Sequence, residues 1–174
     1  MEGSCVELKD MLQCREQRAA EERELLDRYG VPLISFCMNI PGPVKTNAQI
    51  RRGFESGKHC LLEQLEEKGC PVISSRERHE MTGDELLLAV RSDAKLLKAL
   101  TVSIEERHPL GRLFDLDVIG TDGKKLSRDT YRTCLICGRQ AQECARSRRH
   151  SVKELQDAVD ALLRAWANSD ISGS

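Results

Sequence analysis

The stretch Val31–Ile40, which reads VPLISFCMNI, decides how the rest of the chain can fold. It is an apolar run of the length of a strand, and such a run predicts a buried strand. The run ends at Pro41–Gly42–Pro43, where two prolines predict a rigid loop. We therefore expect a strand inside the hydrophobic core whose end is fixed by a stiff loop.

The segments on either side of this strand have helical periodicity. Upstream, Ser4 and Glu7 have the spacing of a capping box, and the charged helix predicted after them ends at Gly30. Downstream, apolar residues recur at helical spacing over residues 47–68, which predicts a second helix. A C-terminal helix is predicted at about 151–168, where an apolar stripe follows another capping box.

Other segments predict strands and turns. Residues 71–78 and 85–91 flank turn residues and predict a hairpin. Asp93 then caps a short helix, although alternating apolar residues near its end leave an extended conformation as the alternative. Residues 112–119 alternate with period two, and Asp122–Gly123 after them is a strong hairpin turn.

These elements predict an α+β fold with a mixed sheet and flanking helices. The 174 residues fit one domain with room for a hydrophobic core, and no internal repeat divides them, so we expect a single domain over residues 1–174. No apolar run approaches the roughly 18 residues needed to cross a bilayer. The N-terminus lacks the pattern of a signal peptide. We expect a cytoplasmic protein that does not enter a membrane.

The net charge of −1 conceals a basic segment near the C-terminus. Residues 124–153 carry nine Lys and Arg against two acidic residues, whereas residues 1–30 carry eight acidic residues against five basic ones. A basic segment suggests an anionic partner such as a polyphosphate, a nucleic acid or an acidic protein, and a solvated face is the alternative. Only 3% of the residues are aromatic, and the net charge is not basic, so we expect no nucleic-acid partner.

Part of this basic segment, residues 134–150, is rich in cysteine. Cys134, Cys137, Cys144 and His150 follow the pattern Cys-x₂-Cys-x₆-Cys-x₅-His. Three thiols and one imidazole are a common ligand set for structural zinc, so Zn²⁺ is one interpretation. Reduced structural cysteines and a redox role are the alternatives.

The sharpest local feature is the sequence GRLFDLDV at residues 111–118. On a strand, Asp115 and Asp117 point to the same face, about 7 Å apart. Two carboxylates so placed repel each other unless a cation lies between them. Mg²⁺ prefers oxygen ligands and usually binds substrate phosphates as well, and it can assist displacement at phosphorus. The alternative is that this is the solvent-facing side of an amphipathic strand.

Several nearby residues suit a phosphorylated substrate. Gly111 permits close approach of the backbone, and Arg112 can clamp a phosphate. Lys45 lies in the proline-stiffened loop just before a helix, and Arg51 lies in the first turns of that helix, where an anion can be received. The alternative for these basic residues is a solvated face. His108 precedes the acidic strand and is a candidate proton acceptor.

Four blocks of sequence together resemble a known family. They are PGPVK at 41–45, HPLGRLFDLD at 108–117, LSRD at 126–129 and CLICGRQAQECARSRRH at 134–150. They resemble the apo-citrate lyase phosphoribosyl-dephospho-coenzyme A transferases, also called holo-acyl carrier protein synthases of citrate lyase. The likeness covers roughly residues 25–165, with the blocks in matching order.

The resemblance implies a reaction, its substrates and its partner. The donor is 2′-(5″-triphosphoribosyl)-3′-dephospho-coenzyme A, and a serine of the citrate lyase acyl carrier (gamma) subunit attacks the phosphorus nearest the ribose. Diphosphate leaves. By analogy with nucleotidyltransferases, whose fold the chain is expected to resemble, Asp115 and Asp117 would hold Mg²⁺, with Asp129 as a third carboxylate. Arg112, Arg128 and Lys45 would then offset the charge of the triphosphate.

Two other functions remain open from the residues alone. A non-catalytic zinc-ribbon adaptor would use the basic cysteine-rich segment to bind an acidic carrier protein, and would release no diphosphate. A related transferase could serve the carrier protein of malonate decarboxylase. The four quoted blocks favour citrate lyase.

Overall fold

The structure is a computed structural model that describes residues 3–171. Five α-helices and four β-strands are found in this range. The helices are α1 (Leu8–Tyr29), α2 (Ala48–Glu67), α3 (Ala94–Arg107), α4 (Ala141–Arg146) and α5 (Val152–Ile171). The strands are β1 (Leu33–Met38), β2 (Val72–Glu80), β3 (Gly83–Val90) and β4 (Phe114–Ile119), and a 3₁₀-helix at Gly111–Leu113 leads into β4. None of the helices described is long and apolar enough to span a membrane.

The four strands form one sheet in the order β2–β3–β1–β4, and every neighbouring pair is antiparallel. The connection β1–α2–β2 skips over β3, and β3–α3–β4 skips over β1, which is the ferredoxin-like arrangement of two interleaved βαβ units. The predicted α+β class is confirmed, but the prediction of a mixed sheet is wrong. Strands that run in the same direction are always separated by one that runs the other way. A likeness to nucleotidyltransferase folds stays a prediction.

One face of the sheet carries the larger hydrophobic core. Ile34 and Phe36 of β1 point to it, and α2, α3 and α5 cover it. The ring of Phe36 stacks on Phe54 of α2 with centroids 4.9 Å apart, and it meets Phe114 of β4 edge to face at 5.2 Å. A Cβ on Gly57 would lie 2.7 Å from both the Phe36 and Phe114 rings, so glycine lets α2 pack this closely.

The opposite face lies beneath α1, and only part of it is apolar. A small core there joins α1 to three strands through Leu25, Leu33, Leu87, Ala89 and Ile119. Further along the same strands, this face carries the polar residues Ser35, Cys37, Glu85, Asp115 and Asp117. The prediction of a buried strand over Val31–Ile40 is confirmed, and its two faces differ in chemistry.

The first helix begins later than the sequence predicted. Glu7 is the N-cap and forms a capping box with Asp10, whose carboxylate accepts the Glu7 N–H at 3.1 Å. The predicted box of Ser4 and Glu7 is therefore wrong, because Glu7 and Asp10 form a capping box with the same spacing three residues further on. The helix ends as predicted at Gly30, which adopts a φ of 61°.

The remaining predicted elements are present. Strands β2 and β3 form the expected hairpin. Helix α3 stays helical to Arg107, so the extended alternative is not adopted. The turn at Asp122–Gly123 reverses the chain, with the Gly120 N–H donating to the Lys124 carbonyl at 2.9 Å. This reversal brings the residues after the turn back alongside β4.

Candidate functional site

The two aspartates of the sequence motif lie on the α1 face of β4. Pairing with β1 places Asp115 opposite Cys37 and Asp117 opposite Ser35, while Leu116 between them enters the main core. Both aspartates are partly buried, and β4 is an edge strand. The alternation of β4 therefore presents two acidic groups on one face, at the rim of the sheet.

The two carboxylates differ in how their charge is balanced. The Lys125 ammonium lies 2.5 Å from Asp117 Oδ2. The Asp115 carboxylate is only loosely paired, because the Arg132 guanidinium and the Cys37 thiol each lie 4.0 Å away. Burial, and then the charge of Asp117, raise the pKa of the Asp115 carboxyl. The neighbours of Asp115 therefore do not fully balance its ionised carboxylate, and a further cation would stabilise that form.

A magnesium ion was expected at this pair, and the residues fit one in part. Mg²⁺ is commonly held by one or two carboxylates together with substrate phosphates, which is what Asp115 and Asp117 offer. Within residues 3–171, no third His, Cys, Asp or Glu joins these two in a metal-binding group, and the predicted third carboxylate, Asp129, is exposed. Lys125 would have to leave Asp117 for both carboxylates to bind the ion. Magnesium therefore stays a prediction.

A cleft of about 470 Å³ opens beside Asp115. Its walls are α1, parts of β1 and β3, and the loop that follows β1. The charged side chains that line it are four basic ones, Arg15, Arg18, Lys45 and Lys125, and four acidic ones, Glu22, Asp84, Glu85 and Asp115. The volume lies in the range of small-molecule sites, about 300–1,000 Å³. Lys45 and Asp115, which the sequence analysis singled out separately, thus share one cleft.

The proline loop places Lys45 in this cleft. Gly42 adopts a φ of 82°, and a Cβ there would lie 2.3 Å from the side chain of Gln156 on α5, so the loop requires glycine. The Val6 N–H donates to the Pro43 carbonyl at 2.9 Å and holds the loop from the other side. Lys45 Nζ donates to the Ile40 carbonyl at 2.7 Å. Burial, and then a nearby arginine of α1, lower the pKa of Lys45.

Helix α1 is fixed over the sheet by ion pairs. Arg18 and Arg78 both pair with Glu85 of β3, and Arg78 also reaches Glu21 of α1 at 3.1 Å. Arg15, one turn before Arg18, lines the cleft. Sequence reasoning missed these α1 residues because the helix was interpreted as a charged surface. The buried Cys14 beside Arg15 was the one local signal that this face of the helix is covered.

His108 lies on the other side of the sheet from the aspartates. Its ring contacts Phe114 of the main core, with centroids 4.7 Å apart. Nδ1 accepts the Leu110 N–H at 3.0 Å, so the neutral ring carries its proton on Nε2, which lies 3.1 Å from Ser56 Oγ. Burial lowers the pKa of His108. The predicted proton acceptor is thus separated from Asp115, and both its nitrogens are engaged.

Two other predicted substrate-binding residues already have carboxylate partners. Arg51 reaches the buried carboxylate of Asp84 at 3.0 Å. Arg128 donates to Glu105 and Glu106 of α3, both at 3.0 Å. A sequence shows the basic residue but not the distant carboxylate that neutralises it. In this structure, both arginines join elements of the fold.

The turn before β4 packs tightly against α3. A Cβ on Gly111 would lie 2.3 Å from the Glu105 carbonyl, so this glycine permits close approach to α3 rather than to a ligand. Arg112 is partly buried, and burial followed by the charges of two nearby arginines lowers its pKa. One of these, Arg132, donates to the Phe114 carbonyl at 2.7 Å and covers the outer edge of β4. Sequence reasoning missed Arg132, which lies two residues before the cysteine cluster.

The cysteine-rich segment forms a compact group of four potential ligands. The Gly138 N–H donates to the Cys134 carbonyl at 3.2 Å and closes a knuckle, while α4 brings Cys144 back to it. Cys137 Sγ lies 3.5 Å from Cys144 Sγ and 3.3 Å from His150 Nε2. All four ligand atoms lie within 4.8 Å of one another. The predicted set is therefore brought together in space.

The chemistry of this group suits zinc. A tetrahedral zinc with Zn–S bonds of 2.3 Å separates its sulfur ligands by roughly 3.8 Å, which is close to the spacing found. The Arg139 backbone N–H, and then His150, lower the pKa of the Cys137 thiol to about 6, so a thiolate forms readily there. Burial raises the pKa of Cys144 to about 11 without a metal, and a bound cation would reverse that shift.

Comparison with known proteins finds a family whose sequence model spans all the features described above. The family model described as apo-citrate lyase phosphoribosyl-dephospho-CoA transferase matches residues 6–166, which include the aspartate pair, the cleft and the cysteine group. The chain belongs to this family. A probable apo-citrate lyase phosphoribosyl-dephospho-CoA transferase of Vibrio cholerae is 38% identical over 167 residues, covering 93% of this chain and 94% of that protein.

Two further relatives carry the family name. The apo-citrate lyase phosphoribosyl-dephospho-CoA transferase of Citrobacter koseri is 36% identical over 171 residues, covering 96% of this chain and 93% of that protein. The Escherichia coli protein of that name is 35% identical over 162 residues, covering 91% of this chain and 88% of that protein. As a member of this family, the chain is an enzyme of the transferase class, and the non-catalytic adaptor is not favoured.

Proposed function

We propose that this transferase attaches the phosphoribosyl-dephospho-coenzyme A group to a serine of the citrate lyase acyl carrier (gamma) subunit. The donor is 2′-(5″-triphosphoribosyl)-3′-dephospho-coenzyme A. Family membership over residues 6–166 supports the reaction. The observation that supports its location is the cleft in which Lys45 faces the same space as Asp115.

The proposed reaction exchanges one bond at phosphorus for another. The serine Oγ forms a bond to the phosphorus nearest the ribose, and the bond from that phosphorus to the bridging oxygen of the diphosphate breaks. The electron pair stays on the departing diphosphate, and the hydroxyl proton is released. The products are a phosphodiester on the carrier and free diphosphate.

The residues of the cleft would serve this exchange through their charge. The ammonium of Lys45 lies where it can meet the negative triphosphate. Asp115 and Asp117 would hold Mg²⁺, which supplies charge neutralisation to the attacking and leaving oxygens when it is bound. Without a cation, these carboxylates would repel the substrate phosphates. The pair can therefore serve this reaction only if a cation binds between the carboxylates and the phosphates.

We also propose that Cys134, Cys137, Cys144 and His150 hold a structural zinc ion. Four protein ligands leave no open position for substrate. The Arg132 carbonyl accepts the N–H of Ala141, the first residue of α4, at 2.8 Å. The zinc module would thereby fix Arg132 against β4.

The basic surface beside this module is our proposed docking site for the carrier. Arg146, Arg148 and Arg149 are exposed on and after α4. An acidic carrier protein would be attracted by this surface, most strongly at low ionic strength. We place the reaction in the cytoplasm, a reducing compartment in which the cysteines of the proposed zinc module stay available as ligands.

A single assay tests the proposed function. Purified protein is incubated with apo carrier subunit, the triphosphoribosyl donor and Mg²⁺, and the carrier is then weighed by mass spectrometry. The carrier should gain the mass of the phosphoribosyl-dephospho-coenzyme A group while one diphosphate is released per carrier. Carrier that binds tightly but gains no mass would support the adaptor instead. Gain of mass by a malonate decarboxylase carrier alone would reassign the substrate.

A further inference from the structure

We propose that Arg15 of α1, together with Lys45, forms the subsite that holds the diphosphate part of the donor and of the product. This inference rests on the proposed function for the identity of the donor. The subsite itself is defined by charge and geometry, and its ligand class is a diphosphate or a terminal diphosphoryl group.

Two of the four cations that line the cleft are already paired with carboxylates. Arg18 is paired with Glu85, and Lys125 with Asp117. Both cations are therefore neutralised within the fold. A further anion would gain little from either of them unless an ion pair were first broken.

Arg15 and Lys45 are different. Within residues 3–171, the Arg15 side chain makes no ion pair or hydrogen bond, and the Lys45 side chain makes only the hydrogen bond to the Ile40 carbonyl. The two cations are close enough that the charge of Arg15 lowers the pKa of Lys45. Four acidic residues also line the cleft, but neither Arg15 nor Lys45 is paired with a carboxylate of the described residues. Two unpaired like charges repel each other, and an anion placed between them relieves the repulsion.

The pair shares its cleft with Asp115, so one donor molecule can reach all three residues. Arg15 and Lys45 line the same cleft as Asp115, where the phosphorus under attack would lie. The two outer phosphates must then lie further into or along this cleft. As the bond to the bridging oxygen breaks, negative charge grows on the departing diphosphate, and fixed cations there stabilise that charge. The planar guanidinium of Arg15 can bind two phosphate oxygens at once, and Lys45 adds a point charge.

Binding of inorganic diphosphate tests this subsite without any transfer reaction. Titration calorimetry in a Mg²⁺-containing buffer would compare wild type with Arg15→Gln and Lys45→Gln. Arg23→Gln is the matched control, because Arg23 is an exposed arginine of the same helix that does not line the cleft. Each cleft variant should weaken diphosphate binding by about 10- to 100-fold, the usual loss for a charge-assisted hydrogen bond. Arg23→Gln should bind like wild type.

Kinetics separate a binding role from a structural one. Arg15→Gln should raise the KM for the donor by about tenfold or more while the KM for the carrier stays unchanged. Product inhibition by diphosphate should weaken in parallel. Because Arg15 is exposed and its side chain makes no ion pair or hydrogen bond with the other residues of the range 3–171, its variant should melt at the same temperature as wild type.

The outcomes distinguish the subsite from the proposed function. If diphosphate binding depends on Arg15 but no group reaches the carrier, the subsite stands and the donor or acceptor is another molecule. If transfer proceeds but Arg15→Gln binds diphosphate as wild type does, the subsite is wrong and the function stands. Wild type that binds no diphosphate would likewise overturn the subsite.

Discussion

Ile34 and Phe36 point from β1 into the main core, whereas Ser35 and Cys37, their neighbours in the chain, point into the polar region beneath α1. One strand thus serves two environments that lie a few ångströms apart. The apolar face is covered by three helices, and the opposite face by one helix that is held by a small apolar core and by ion pairs. We infer that the apolar face supplies most of the stability and the α1 face carries the chemistry. Substitutions on the two faces should therefore have separable effects.

The largest effect on stability is expected on the apolar face. Phe54 is fully buried and stacks on Phe36. Phe54→Ala removes a ring from a close-packed core and should lower the free energy of unfolding by about 3–5 kcal/mol. Urea denaturation followed by circular dichroism measures the change. A loss below 1 kcal/mol would mean that this face is not the main source of stability.

At the aspartate pair we expect a loss of activity without a loss of stability. Asp115→Asn or Asp117→Asn keeps the shape of the side chain but removes the charge that would hold a metal ion. Transfer should fall by about 10²–10³-fold, which corresponds to roughly 3–4 kcal/mol of lost transition-state stabilisation. The free energy of unfolding should be nearly preserved, because removing one of two like charges relieves repulsion. Asp117→Asn also loses the ion pair with Lys125, but Lys125 is half exposed and such a pair contributes little.

Two controls sharpen this test. Asp129→Asn changes an exposed aspartate in the segment that follows the Asp122–Gly123 turn, and this variant should transfer at a normal rate. Chelation of divalent cations should abolish wild-type transfer. If either strand variant is as active as wild type, that aspartate is not an essential metal ligand. If both variants are as active as wild type, the metal-centred mechanism is wrong. The family assignment does not depend on that mechanism and would be unaffected.

The difference between the faces also explains what the sequence could predict. The strand at Val31–Ile40 and helices α2 and α5 have local apolar periodicity, so they were found. The alternation over residues 112–119 was enough to place both aspartates on one face. The order of the strands depends on pairings between distant residues, and for that reason the antiparallel sheet was missed.

The α1 side of the site was harder to predict for a physical reason. Only Cys14 and Leu25 of this helix are buried, and its docking depends on ion pairs such as Arg18 with Glu85. A polar helix that docks through charges has the same local pattern as a solvated one. The roles of Arg15 and Arg18 thus became visible only when the distant residues around them were in place.

The cysteine module lies beside the edge strand β4 and, in the described part of the chain, touches the main core only through Leu135, so its loss should have an intermediate and local effect. Metal analysis should find about one zinc per chain. Removing the zinc, or Cys144→Ser, should expose backbone amides around residues 130–150 to hydrogen exchange while the sheet stays protected. Cys60→Ser is the control, because this thiol is outside the group. Metal-free protein with unchanged exchange and activity would remove the zinc proposal.

The smallest effect is expected at His108, and it tests whether this residue belongs to the chemistry or to the apolar face. Its Nδ1 accepts the Leu110 N–H, so a proton added there would face another donor, and burial lowers its pKa below the ordinary 6.5. The folded state therefore binds fewer protons than the unfolded state between that lowered pKa and 6.5, and the free energy of unfolding must fall as the pH drops through this window. His108→Asn keeps a neutral acceptor for the Leu110 N–H and cannot titrate, so its free energy of unfolding should not show this loss at acid pH.

Denaturation of wild type and His108→Asn from pH 7.5 downwards measures the difference, and transfer by the variant should stay within a few-fold of wild type. A rate loss as large as that of Asp115→Asn would instead place His108 among the catalytic groups, despite its position across the sheet.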